Sequence, residues 1–241
     1  MNIFVGCASR NTDNSDYNNV AEKLGDYIVS HKHNLVFGGC EYGLMGKLYE
    51  KVKQTESKIF ITIAEAYKSD LDNLIYTDAI LTQTVNERKD SFIRISDVLV
   101  FLPGGIGTID ELMTAIETRR NHEHDVPIII VNINGFFDHQ LSMLEKIYEE
   151  EFADEKNRNM YVVCSSFEEL TTELENVHSD NELSFLEIAI QIAKEQEESS
   201  SEDSEHREPY NDDALFAGIA EYGRTLDAIS ELEAEEMIAG I

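Results

Sequence analysis

A chain of 241 residues with 42% hydrophobic content can bury one substantial core. Its formal net charge of -29 excludes nucleic acid and an anionic membrane surface as partners, because a phosphate backbone or headgroup layer would repel it. No apolar run approaches the roughly 20 residues that span a bilayer, and MNIFVGCASR enters a strand-like segment with no signal-peptide pattern, so a soluble cytoplasmic protein is expected.

In chain order, an apolar run over residues 2–5 leads into a helical pattern. Tyr17, Val20, Leu24 and Tyr27 or Ile28 recur there at three- and four-residue spacing, behind the capping candidates Asn14 and Ser15. Strands are predicted over residues 35–37, 59–63, 79–81, 98–102, 128–132 and 161–164, and helices over 43–53, 85–95, 108–119, 136–150, 167–175 and 183–194. Pro127 stands just before a buried-looking strand, where a missing backbone donor is tolerated. Short apolar strands alternating with helices define the α/β class: a parallel sheet with helices on both faces, with residues 1–194 as one domain.

From Glu195 the composition changes. The stretch EQEESSSEDSEHREPYNDD, residues 195–213, has too little apolar content to offset the entropy of ordering and is predicted to be an acidic linker. From Glu195 onward there are 15 acidic and 2 basic residues, so this segment carries -13 of the -29. Residues 214–241 regain helical periodicity through Leu215, Ile219, Tyr222, Leu226, Ile229 and Leu232. That is the pattern of an amphipathic tail, packing on the body or a second copy, or docking on a protein partner.

The cysteines Cys7, Cys40 and Cys164 are odd in number and widely separated, which fits neither a disulfide framework nor a zinc site, and reduced thiols are expected. His31, His33, His122, His124, His139, His178 and His206 look like surface or loop residues, and none is assigned to chemistry.

In an open parallel sheet, ligands bind beyond the carboxyl ends of the strands. Three segments are placed to reach that edge: GCASR, GGCEYGLMG and PGGIGT. In the last, Gly104, Gly105 and Gly107 clear side chains from a loop whose peptide N–H groups, with the Thr108 hydroxyl and a helix N-terminus, suit an oxyanion. The same residues also fit a plain capping box, with Thr108 as N-cap and Glu111 at the third helical position. Gly38, Gly39, Gly43 and Gly46 form a second strand-to-helix crossing that converges on the same edge. The pattern has neither the Lys of a P-loop nor the GxGxxG spacing. Arg88 and Lys89, in NERKD, offer cations near a helix start, either pairing with Glu87 or Asp90 or binding phosphate and ribose oxygens.

Taken together, GGCEYGLMG, NERKD, PGGIGTIDE and VPIIIVNINGFFD resemble the LONELY GUY (LOG) family of nucleoside 5'-monophosphate phosphoribohydrolases, whose signature is PGGxGTxxE. The likeness runs from about Asn2 to Leu174. It implies a Rossmann-like, doubly wound homodimer that cleaves the N-glycosidic bond of AMP or an N6-modified AMP, giving free base and ribose 5-phosphate. The family's catalytic Arg and Glu fall on Arg88 and Glu111. Its phosphate loop falls on Gly104 to Thr108, Lys89 matches its basic pair, and Ser9 lies where it has a serine-containing loop; Gly39 joins the substrate-binding set. Asn86 and Val85 replace a common histidine and methionine, which bears on substrate identity. No cofactor and no metal are expected, and nothing supports a pyridoxal-phosphate site despite the lysine decarboxylase label that members often carry. The alternative is a non-catalytic nucleotide-binding or sensing module acting through its acidic tail.

Overall fold

The computed structural model describes residues 1–177 and 187–195. Seven strands run β1 Asn2–Gly6, β2 Asn34–Phe37, β3 Ile59–Ala64, β4 Asp78–Thr82, β5 Val98–Phe101, β6 Ile128–Val131 and β7 Val162–Cys164. Every neighbouring pair is parallel, in the order β4-β3-β2-β1-β5-β6-β7. The chain therefore starts at the middle of the sheet, winds outward to one edge, returns past β1 and winds to the other. This doubly wound order leaves a crevice between β1 and β5, at the carboxyl ends of the strands.

Sequence explains why these strands are interior. IFITIA, VLVF and IIIV are buried at every position, the nearly continuous apolar pattern, broken only by Thr62, of strands covered on both faces. On one face, Ile3 and Val5 join a cluster with Val20, Leu24 and Ile28 of α1 (Ser15–Ser30) and Leu44 and Leu48 of α2 (Gly43–Val52). On the other, Phe4 stacks on Phe92 of α3 (Val85–Ile95) at 3.9 Å between ring centroids and meets Phe101 edge-on at 5.9 Å. The remaining helices are α4 Ile106–Arg120, α5 Asp138–Glu149 and α6 Phe167–Glu175.

Of the six helices α1 to α6, three, α1, α3 and α6, start on a side-chain cap, while α2, α4 and α5 do not. Asn14 Oδ1 accepts from the Asp16 and Tyr17 amides, Thr84 Oγ1 from Glu87, and Ser166 Oγ from Glu169. At α4 the predicted capping box does not form. The helix begins two residues earlier than expected, with Gly105 as N-cap and no side-chain bond; its first intrahelical bond joins the Ile109 amide to the Gly105 carbonyl at 3.1 Å. Thr108 is thus inside the first turn, and Glu111 lies beyond the capping positions.

A second difference concerns the histidines. His124 is half-buried, its Nε2 within 3.1 Å of the Ala115 carbonyl and the Thr118 hydroxyl oxygen. His33 is likewise half-buried, and burial together with the N-terminal ammonium lowers its pKa to about 4. Both lie in loops, as expected, and their partial burial is the difference.

The predicted helix over residues 183–194 is helical from 187, where its described part begins. The chain divides into two compact units, Met1–Ile190 and Gln191–Ile241. Apart from Glu195, the predicted linker (195–213) and tail (214–241) lie outside the described residues. Among the described residues, no helix is long and apolar enough to cross a membrane.

Phe92→Ala would remove a ring fully buried between α3 and β1. A loss of about 3–5 kcal/mol is expected, read as a lower urea midpoint at unchanged slope.

Candidate functional site

Three loops meet at the crevice and are tied by backbone bonds. The Ala8 amide after β1 donates to the Pro103 carbonyl after β5 (3.1 Å), and the Met45 amide of α2 donates to the Ala8 carbonyl (3.2 Å). Gly43 makes the junction possible: its φ is +64°, and a Cβ there would lie 2.5 Å from the Ala8 carbonyl oxygen and 2.6 Å from that of Arg10.

Above this floor, Arg88 of α3 donates from Nη2 to Glu111 Oε1 of α4 in a short charge-assisted contact. Glu111 is buried and Arg88 largely so, the side chains being 5% and 16% exposed. Two strand ends lack side chains where it needs room. A Cβ on Gly6 would stand 2.8 Å from the Phe101 ring and 3.2 Å from Glu111 Oε2, and one on Gly38 would stand 3.2 Å from Arg88 Nη1. Burial pushes the Glu111 carboxyl above the usual range; Arg88 opposes this by charge and by its hydrogen bond, Asp110 adds to it and Lys89 opposes it.

The α4 N-terminus forms the other wall. The amides of Ile106, Gly107 and Thr108 precede the first intrahelical bond and so have no helical partner. Gly105 and Gly107 are exposed, with open space where a Cβ would stand. Thr108 is buried and folds back on Gly104, where a Cβ would come within 2.2 Å of its Oγ1. Peptide donors aimed at open space, with the positive end of the helix dipole behind them, suit an anion.

Of the other residues singled out from sequence, Ser9 is exposed on the β1 loop, its carbonyl accepting from Cys40 Sγ at 3.8 Å. Gly39, with φ +76°, turns the chain and packs towards Ile61 and Leu71. Lys89 has a long-range partner: its Nζ donates to Asp110 Oδ1 and Oδ2 at 3.2 and 3.1 Å. Asn86 and Val85 are exposed at the start of α3. Sequence reasoning missed Asp110 and the roles of Gly6 and Gly38 as clearances. The glycine ending β1 in VGCASR was the available signal.

Cys7 lies buried beneath the pair, and burial, then the charge of Glu111 and the neighbouring Cys40, push its thiol well above the ordinary value. Cys7, Cys40 and Cys164 are free. Among the described residues, no cluster of His, Cys, Asp and Glu could hold a metal ion.

A family model described as "Possible lysine decarboxylase" matches residues 42–174. The chain is 28% identical over 174 residues to a cytokinin riboside 5'-monophosphate phosphoribohydrolase of Arabidopsis thaliana, covering 72% of this chain and 76% of that protein. It is 31% identical over 173 residues to a protein of Oryza sativa subsp. japonica named "Probable cytokinin riboside 5'-monophosphate phosphoribohydrolase", covering 71% and 75%. Among solved structures, a molybdenum cofactor binding protein from the phototrophic bacterium Rippkaea orientalis superposes with a TM-score of 0.54 at 20% identity, over 73% of this chain and 95% of that one; this likeness concerns the fold alone. With more than half of its length matched by the family model and its sequence aligned to these relatives, the chain belongs to the LONELY GUY family, the one whose model bears the lysine decarboxylase description.

Proposed function

We propose that the protein is a nucleoside 5'-monophosphate phosphoribohydrolase, hydrolysing the N-glycosidic bond of AMP or an N6-modified AMP to free base and ribose 5-phosphate. The observation that carries this reading is the buried Arg88–Glu111 pair set beside an uncapped helix N-terminus. The names of the relatives support it.

Glycosidic cleavage passes through an oxocarbenium-like state, with positive charge on the sugar and negative charge on the departing base. A site for it must anchor the substrate, stabilise a cation and deliver water. The loop from Gly104 to Thr108 holds the 5'-phosphate on the free amides of α4, and Ser9 on the facing loop adds a polar contact. Anchoring fixes the ribose over Glu111. As the C–N bond breaks, its electron pair stays on the base nitrogen. The Glu111 carboxylate stabilises the sugar cation and takes a proton from the attacking water, whose oxygen forms the new bond to C1'. A proton returned to the base nitrogen completes the balance. Arg88 holds the carboxylate in orientation and reaches substrate oxygens with its remaining N–H groups.

Decarboxylation of lysine, the chemistry in the family description, calls for pyridoxal phosphate held on a lysine amine. The lysine at this site, Lys89, is ion-paired to Asp110, so the residues present do not offer that attachment and no step is drawn through it. The working unit proposed is a cytoplasmic homodimer, with the base and sugar preference read from a panel of nucleoside monophosphates assayed for released base.

Glu111→Gln keeps the shape and removes the charge, and a loss of about 10²–10⁴ in kcat is expected, with the circular dichroism spectrum unchanged. Full turnover by that variant would sink the assignment. For Arg88→Ala, turnover should largely vanish while the protein stays folded, and unaltered kinetics would remove its proposed role.

The pH dependence follows from the raised carboxyl. Catalysis needs the carboxylate, so kcat/KM should climb with pH along a limb centred above the usual glutamate range. Stability runs the opposite way. A group whose pKa is higher folded than unfolded contributes stability below its unfolded value, and this is lost as pH rises through the folded one. Wild type should therefore lose stability relative to Glu111→Gln as pH rises from about 4.3, measured as the difference in urea unfolding free energies.

A further inference from the structure

Two cysteines stand side by side at the floor of the crevice, and neither has a part in the hydrolysis. Cys7 directly follows β1, and Cys40 lies in the turn between β2 and α2. The two strands pair in parallel, with Ile3 beside Leu35 and Phe4 beside Val36. Continued past the strand ends, that register sets Cys40 level with Ala8, one position beyond Cys7. A strand spacing of about 4.8 Å and a rise of about 3.3 Å place such diagonal neighbours about 5.8 Å apart, inside the roughly 4.4–6.8 Å between Cα atoms that a disulfide needs. The two segments stay adjacent beyond the sheet: Cys40 Sγ donates to the Ser9 carbonyl at 3.8 Å, and the Met45 amide to the Ala8 carbonyl at 3.2 Å.

The thiols differ in access. Cys40 is half-buried, its sulfur accepting from the Tyr42 amide at 3.5 Å where α2 starts without a side-chain cap. Cys7 is 1% exposed, and burial first, then the charges of Glu111 and Cys40, push its thiol well above the ordinary value. An oxidant therefore meets Cys40 first. Cys164, also buried, ends β7, with β5 and β6 between it and β1.

We propose that Cys7 and Cys40 are a reversible redox pair: a hydroperoxide oxidises Cys40, and Cys7 then closes a disulfide across the floor of the crevice. In the first step the Cys40 sulfur attacks one oxygen of the peroxide. The O–O bond breaks, the second oxygen leaves as water or an alcohol carrying the thiol proton, and Cys40 becomes a sulfenic acid. In the second step the Cys7 sulfur attacks the sulfenic sulfur. The S–S bond forms, the S–O bond breaks, and the hydroxyl leaves as water with the Cys7 proton. Two thiols have lost two electrons to the peroxide, and thiol–disulfide exchange with a small dithiol returns them.

The bond reaches the site because Cys7 sits between two residues that shape it. Gly6 leaves the space beside Glu111 Oε2, and the Ala8 amide is bonded to Pro103, just ahead of the glycine loop of α4. In the sheet β1 lies between β2 and β5. Drawing the two sulfurs to about 2.05 Å pulls the end of β1 towards β2 and away from Pro103, so the oxidised protein loses the loop geometry that anchors substrate. This consequence rests on the hydrolase reading; formation of the cross-link does not.

The test treats the full chain with hydrogen peroxide, alkylates it under denaturing conditions, and maps its cysteines by mass spectrometry. AMP turnover is followed before oxidation, after it, and after dithiothreitol. Free thiols should fall from the three of the reduced chain to Cys164 alone, with the loss of two hydrogens and a linked Cys7–Cys40 peptide. Turnover should fall by about tenfold or more and return with dithiothreitol. Cys40→Ser should keep the basal rate and hold it through peroxide, while Cys164→Ser should behave as wild type. Cys40 stopping at sulfinic acid with Cys7 still alkylated would overturn the pair, as would a bridge to Cys164 or equal inactivation of Cys40→Ser. Full turnover by the linked protein would overturn its control of the site. If the reduced wild type releases base from no nucleotide while the Cys7–Cys40 link still forms and reopens, the hydrolase reading fails and the redox pair stands.

Discussion

The buried ion pair between Arg88 and Glu111 is the constraint around which the rest of the molecule is arranged. Taking both charges out of water costs several kcal/mol for each ion, which only close contact and further hydrogen bonds offset. Such a pair is a poor way to stabilise a fold. It persists because the surroundings hold it: strand ends without side chains beneath it, two helices delivering its halves, and a second ion pair alongside. The doubly wound sheet contributes the opening itself, since β1 and β5 lead their connections away in opposite directions and leave the gap that both helix starts overlook.

The helix termini differ, and α2 and α5 share with α4 the lack of a side-chain cap. Where α1, α3 and α6 begin, a side chain satisfies the first amides. Where α4 begins, a glycine cap leaves them free beside the crevice. A capped terminus is locally stable, and an uncapped one is locally available. In a chain with a net charge of -29, this available positive end and the Arg88 guanidinium offer an anion short-range attraction inside a field that is repulsive at distance.

Most of the fold was legible in the sequence because its signals are local and strong. Buried apolar runs such as IIIV and VLVF announce interior parallel strands, and α3 and α6 carry their own capping residues. The start of α4 was misjudged because Thr108 and Glu111 have capping-box spacing, whereas the pairing of Glu111 with Arg88 was expected from the family resemblance and not from the local pattern. Lys89 was expected either to pair with Glu87 or Asp90 or to bind substrate oxygens, while its partner Asp110 lies 21 residues away. Long-range pairing is what a single sequence conceals, and the glycines at the ends of β1 and after β2 were visible as turns without being visible as clearances.

The position of β1 at the centre of the sheet bears on how the protein is made. Its two neighbours are β2, which follows directly, and β5, which begins at Val98. Until residues as far as Phe101 have emerged from the ribosome, one side of β1 has no pairing partner, and its apolar edge is open to other chains. The crevice appears at that same moment, because its second wall follows β5 directly. Synthesis therefore passes through a window in which half of the sheet exists with no ligand site and an adhesive strand. Slow formation of these non-local contacts would lengthen it, so the interval between the first and fifth strands is where a nascent chain most needs shielding.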